Sequence, residues 1–221
     1  MKLVEYEHCF LIDNFFDPNI ITGFTKSSLE GNLPGDVYKA ISFLNQDFSV
    51  RRMSQPHSNE VNHTEALEVS DADGLFTNKS REVLVVKSAD CLPIFFSSQE
   101  LGVVGVVHMG WRSAAKGILD NINYDLKSFK VALGVGLRKC CYRVGNEFLD
   151  YPIFSKYFKQ ENGQFYFDPV RFAKEELSRR GLKLENFYDL GICSFCSKIP
   201  IFSYRHGDTN KRTLSFILRK Q

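Results

Sequence analysis

No stretch of this 221-residue sequence approaches the roughly 18 consecutive apolar residues of a membrane span. The opening Met1-Lys2-Leu3-Val4-Glu5 also carries charge where a secretory signal would be apolar. A membrane partner and export are therefore not expected, and the chain reads as soluble and cytoplasmic. Strong charge of either sign is missing too. Lys and Arg number 28 against 26 Asp and Glu, a formal net charge of +2, which gives no bulk electrostatic reason to expect nucleic acid. Internal repeats, low-complexity tracts and charged tails are absent, which excludes solenoids and disordered interaction arms. What is present is core material: 43% hydrophobic residues, with 20 Phe, enough for one domain over residues 1–221 that needs no disulfide or metal merely to fold. Without an export signal, the six cysteines are expected to be reduced thiols or metal ligands rather than bridges.

Strands give the clearest local signals. Val83-Leu84-Val85-Val86, Pro93-Ile94-Phe95-Phe96 and Val103 to Val107 fall within 25 residues and read as a β-meander. Val131 to Val135 and Thr213 to Leu218 are further strands. Ser113 to Phe129 reads as a helix through Ala114, Ile118, Leu119, Ile122 and Leu126, and Val37, Ile41 and Leu44 mark a shorter one. Asp168-Pro169 before Val170 to Arg180, closed by Gly181, has a capping acid, proline at the first helical position and a terminal glycine. Strands clustered in this way predict an α+β fold rather than a doubly wound one. Gly134-Val135-Gly136 lacks the third glycine of a dinucleotide fingerprint.

The chemistry concentrates in Ser88 to Pro93 and Val107 to Arg112. With Ser98 to Leu101 as a four-residue hairpin loop, Cys91 stands directly opposite His108. Cβ atoms so paired are about 4.5–5.5 Å apart. That separation suits one zinc ion held by sulfur and imidazole, or a thiolate–imidazolium pair. The plain alternative is a small buried Cys beside a core His. Upstream, Gln55-Pro56-His57 enters a strand and offers a second imidazole. His57, Cys91 and His108 together would leave zinc an open position, as catalytic sites do. His8, His63 and His206 sit among polar neighbours and read as surface residues.

Trp111-Arg112 adds an aromatic face and a cation beside His108, and the helix start that follows suits an anion; Trp111 serves equally as core. Cys193-Ser194-Phe195-Cys196 is a CxxC with no second copy in the chain. A four-cysteine zinc site is therefore not expected, and the pair reads as structural thiols. The adjacent Cys140 and Cys141 read as residues that pack or line a cleft.

Gln55-Pro56-His57, Ala72-Asp73-Gly74-Leu75-Phe76-Thr77, Ala89-Asp90-Cys91-Leu92-Pro93 and His108-Met109-Gly110-Trp111-Arg112 resemble, in order, the motifs of the YfiH family, also called laccase-domain or multicopper polyphenol oxidase proteins. Cys140-Cys141-Tyr142-Arg143-Val144-Gly145 and Phe202-Ser203-Tyr204-Arg205 continue the match, which spans about residues 55–217. The resemblance implies a single domain of mixed β-sheets packed in a sandwich with flanking helices. It also implies a metal site at His57, Cys91 and His108, holding zinc or, as the alternative, copper.

The implied activities are phosphorolysis of adenosine, inosine, guanosine and methylthioadenosine, and deamination of adenosine, with nucleoside and phosphate as small-molecule partners. Copper polyphenol oxidation and the correction of peptidoglycan precursors are also attributed to the family. Five His residues in all are few for a set of several copper ions, which argues against laccase chemistry. On the phosphorylase reading, Arg112, Arg205 and Lys39 are the candidate phosphate ligands, and Asp73 or Asp90 would move protons alongside Cys91 and His108. Lys39 rests on aligning Tyr38-Lys39 with an Asn-Arg pair of the family, a point charge in place of a planar fork. A metal-free alternative is a hydrolase with Cys91 as nucleophile and His108 as base.

Overall fold

A computed structural model describes residues 2–64 and 69–220. The first part contributes strands β1 (Lys2–Glu5), β2 (Cys9–Asp13) and β3 (Ile20–Thr25), helix α1 (Gly35–Ile41), and strands β4 (Ser49–Met53), β5 (Val61–His63), β6 (Val69–Ser70) and β7 (Gly74–Thr77). The centre holds β8 (Glu82–Ser88), β9 (Leu92–Ser98), β10 (Val103–Met109), helix α2 (Trp111–Ala115) and β11 (Lys130–Leu133). The last part holds β12 (Arg143–Val144), β13 (Phe158–Glu161), β14 (Gln164–Phe167), helix α3 (Pro169–Arg179), β15 (Phe187–Asp189) and β16 (Thr213–Arg219).

Two mixed sheets form the body, with strand orders β1-β2-β3-β16-β8-β4-β6 and β15-β11-β9-β10-β7-β5. The β12-β14-β13 ribbon is separate. Strand periodicity explains the layering. Val83 and Val85 of β8 face Val37, Ala40 and Ile41 of α1, while Leu84 and Val86 face Phe95, Val104 and Val106 of the other sheet. Phe95 in turn lies between the sheets, and Ile94 and Phe96 sit under Phe172 and Leu177 of α3. Each such side chain contributes about 1.5–3 kcal/mol by leaving water. Gly105 of β10 has no side chain because the Phe76 ring lies across it, 2.3 Å from where a Cβ would stand. This is the α+β sandwich with flanking helices that the resemblance implied, and no helix among the described residues is long and apolar enough to cross a membrane.

Two expectations are corrected. The meander does not form, because β8 joins the first sheet, between β16 and β4, while β9 and β10 pair in the second. Runs buried on both faces show no polar alternation, so nothing local indicates which sheet they join. The long helix over Ser113 to Phe129 is also absent. α2 ends at Ala115, Gly117 takes φ +79°, and only a 3-10 turn over Leu126–Ser128 follows. Its apolar residues are buried all the same, along an irregular path. The Asp168-capped helix forms as expected, with Asp168 Oδ1 accepting from the Arg171 N–H at 3.0 Å.

Candidate metal centre and cleft

The link from β8 to β9 carries the chain from one sheet to the other through Ala89, Asp90 and Cys91. Asp90 holds φ +92°, and both its oxygens are used to keep it there. Oδ1 accepts from the Ser194 and Ser203 hydroxyls at 2.7 and 2.6 Å, and Oδ2 accepts from the Arg205 N–H at 3.0 Å.

The hairpin register differs from expectation by two residues. His108 pairs with Pro93 and Val103 with Ser98, leaving Gln99 to Gly102 as the loop. Cys91 is therefore level with Gly110 instead of His108. A shift of two preserves which face each side chain takes, so Cys91 and His108 still converge. Gly110 makes room for this: a Cβ there would stand 2.8 Å from His57 Cδ2 and 3.1 Å from Cys91 Sγ.

His57 arrives on a backbone held open at two left-handed residues, Gln55 and His57, both at φ +58°. The Gln55 amide pairs with the Lys87 backbone, donating to its carbonyl at 2.7 Å and accepting from its N–H at 2.8 Å. A side chain thus prolongs the β4–β8 pairing where the main chain turns away. Lys116 Nζ donates to the His57 carbonyl at 2.8 Å. The result is one cluster. Cys91 Sγ lies 3.7 Å from His57 Nε2, the two rings are 5.0 Å apart, and one ligand atom from each of His57, Cys91 and His108 falls within 4.8 Å of the others.

Asp73 stands behind this group. It is fully buried, its Oδ1 accepts from His108 Nδ1 at 2.9 Å, and its Oδ2 accepts from the Ser58 N–H and hydroxyl at 2.7 and 3.0 Å. That bond turns His108 Nε2 towards Cys91, as carboxylates behind metal-binding histidines do. Burial opposes ionisation of Cys91, yet the His108 and His57 imidazoles outweigh it and draw the thiol down to about 6. Burial likewise opposes charge on His108, and the Cys91 thiolate with Asp73 raises it to about 9. Two imidazoles and a readily ionised thiol, with a carboxylate fixing the tautomer, fit a zinc or copper ion held by three protein ligands.

The cluster opens into a cleft of about 820 Å³. Arg112 and Arg205 line it together with Lys87, Arg143 and Arg212, and of these last three only Arg143 falls within a motif of the resemblance. Trp111 lines it while its ring also packs on Phe148 at 4.8 Å, so it is both wall and core. Arg112 lies over the Trp111 ring at 4.3 Å.

Two expected placements are corrected. Lys39 is on the exposed face of α1 and takes no part in the cleft. Asp73 and Asp90 both have their two oxygens engaged by protein donors. The α2 start does not offer a free anion site, since the helix has five residues and Ser113 Oγ takes the Gly110 N–H at 3.0 Å. Glu147 is a cleft carboxylate that the sequence reading missed.

A second cluster was not expected at all. Cys140, Cys141, Cys193 and Cys196 bring all four sulfurs within 4.8 Å of one another. The absence of a second CxxC does not exclude this, because tertiary folding joins an adjacent Cys pair to a distant CxxC. All six cysteines are unbridged, as anticipated.

The family described as multi-copper polyphenol oxidoreductase laccase matches residues 30–220. The chain belongs to this family. Among relatives in sequence, the purine nucleoside phosphorylase of Aquifex aeolicus is 34% identical over 67% of this chain and 71% of its own. That of Borreliella burgdorferi is 26% identical over 93% and 94%. Among solved structures, YlmD from Geobacillus stearothermophilus superposes with a TM-score of 0.86 at 21% identity, covering 99% of this chain and 98% of its own. Bacillus licheniformis YfiH gives 0.84 at 19% identity, over 98% of each chain. The laccase-domain fold is therefore shared throughout, and relatives in sequence carry the name of a phosphorylase.

Proposed function

We propose that the chain is a zinc-dependent purine nucleoside phosphorylase, acting on adenosine, inosine, guanosine and methylthioadenosine, that also deaminates adenosine. The observation that carries this reading is the pairing of the His57–Cys91–His108 cluster with a cleft lined by Lys87, Arg112, Arg143, Arg205 and Arg212. One uncharged nucleoside and one phosphate dianion are what such a cleft suits.

In phosphorolysis a phosphate oxygen forms a bond to ribose C1′ as the bond from C1′ to the purine nitrogen breaks. Ribose 1-phosphate and free base result. Arg112, Arg143 and Arg205 bind and orient the phosphate, offering preorganised positive charge to the attacking oxygens. Trp111, backed by Phe148, and Tyr142 give the purine an aromatic surface. Asp73 positions His108, and Asp90 holds the Cys91 link and the Arg205 backbone. His57, Cys91 and His108 would hold the metal, which supplies Lewis acidity and water activation for deamination when bound.

The test is metal content of the purified protein together with inosine and phosphate turnover, read as hypoxanthine release. Near-stoichiometric zinc with phosphate-dependent release is expected. Release without phosphate, or none, would overturn the phosphorylase reading, and copper at the site would overturn the choice of zinc.

The line from Cys91 through His108 to Asp73 also favours a second reading, a thiol hydrolase acting on a peptidoglycan-precursor amide. It requires that alkylation of Cys91 abolish activity in fully chelated protein. Activity that depends on metal excludes it.

A further inference from the structure

The four-thiol cluster is made by two loops. Cys140 and Cys141 lie on a tight turn in which the Cys141 and Tyr142 N–H groups both donate to the Arg138 carbonyl, at 2.8 and 2.9 Å. A turn of helical type rotates successive side chains by about 100° instead of 180°, so adjacent cysteines can face the same point. Cys193 and Cys196 lie on the loop after β15. There the Ser197 N–H donates to the Cys193 carbonyl at 3.1 Å, a turn that folds Cys196 back towards Cys193.

The two loops are stitched together beside the cluster. Gly136 and Cys193 form an isolated parallel bridge, and the Ser194 N–H donates to the Gly136 carbonyl at 3.0 Å. Cys140 Sγ and Cys196 Sγ are 3.6 Å apart. Four sulfurs at 2.3 Å from a tetrahedral zinc stand about 3.8 Å from each other. The observed spacing is close to that and well beyond a disulfide bond of about 2.05 Å.

We propose that Cys140, Cys141, Cys193 and Cys196 form a second, structural metal site that binds zinc as a closed tetrathiolate. On binding, the thiols release their protons to solvent, four sulfur–metal bonds form, and no oxidant is consumed. None of the four cysteines lines the cleft, but Tyr142 and Arg143 follow the first pair directly, and Tyr204 and Arg205 lie on the chain beyond the second. The ion would thus fasten together the two loops that carry one wall of the cleft. The site stands whatever reaction occurs at His57, Cys91 and His108.

The test uses the full chain in two variants, with metal counted and cobalt exchanged for zinc. His57→Ala/Cys91→Ala, which removes the first cluster, is expected to retain one equivalent of zinc per chain. After exchange it should show the intense visible absorption of tetrahedral cobalt thiolate. Cys140→Ser/Cys196→Ser is expected to lose one equivalent relative to the parent and to lack that spectrum. If the second variant fails to fold, the cobalt spectrum of the first decides alone. A metal-free His57→Ala/Cys91→Ala protein overturns the proposal, whether its four thiols titrate as free or are found as disulfides. So does a cobalt spectrum lacking thiolate charge-transfer bands.

Discussion

Two clusters of soft donors lie in this one chain and differ in almost every physical respect. His57, Cys91 and His108 mix two imidazoles with one thiol and open into the cleft. Cys140, Cys141, Cys193 and Cys196 are all sulfur and line none of it. The first is fixed by strand ends, the opposing Gly110 and the buried Asp73, whereas the second is fixed by two loops that meet at a single bridge. Cys91 is drawn down to about 6 against its burial by two imidazoles. Burial and the Cys196 thiol push Cys140 up to about 11, while around Cys193 backbone N–H groups and the Cys196 thiol outweigh burial and draw it down to about 7. Three ligands beside a cleft suit chemistry, while four thiols outside it suit a clamp.

That contrast predicts separable losses. The largest is expected for Cys91→Ala or His108→Ala, which should lose zinc from the first cluster and reduce kcat/KM on the order of 10³-fold, the scale of removing a principal electrostatic element. Metal analysis of the same variants should show the tetrathiolate ion retained, and loss of both ions together would break the comparison. Cys140→Ser/Cys196→Ser should do the reverse, leaving zinc at the first cluster while Tm falls. At free zinc a thousandfold above Kd the lost stabilisation is about 4 kcal/mol. For a chain of this length that corresponds to roughly 10 °C by calorimetry.

Asp73→Asn keeps the shape behind His108 but weakens its hold on the ring. It should lower zinc affinity roughly 10–100-fold by competition with a chelator, with little change in the Tm of the metal-free protein. A large fall in metal-free Tm with zinc affinity unchanged would make Asp73 a core residue first.

Glu82 is the control, a buried carboxylate outside both clusters. Burial raises its pKa, but the hydroxyls of Thr77 and Thr64, at 2.6 and 2.7 Å, and Arg51 Nε, at 3.0 Å, outweigh that and lower it. A depressed folded pKa means stability present above the unfolded value, near 4.3, and lost as pH falls through the folded one. Glu82→Gln should cost about 1–3 kcal/mol near neutral pH and flatten the acid limb of the stability curve. Both metal contents should be unchanged.

The same division runs through what was legible in the amino-acid order. Apolar runs located β8, β9, β10, β11 and β16, and Asp168-Pro169 with Gly181 bounded α3, because strand period and capping are properties of a few adjacent residues. The motifs that resemble the laccase-domain family picked out His57, Cys91 and His108. The hairpin placed its pair correctly even from a register two residues away, since a period of two makes even shifts harmless to facing. By contrast, the apolar runs place β8 in a meander with β9 and β10 although it joins the other sheet, and the expected phosphate ligand Lys39 does not line the cleft.

The sequence by itself therefore determined the donor types, the strand faces and one candidate ligand set. Only the tertiary structure decided which cations line the cleft, which carboxylates are already occupied, and that four separated cysteines form a second cluster. Local pattern reports the preferences of neighbouring residues. The meeting of the loops that follow β11 and β15 is set by the parallel pairing of those two strands in one sheet, and no spacing along the chain encodes that distance.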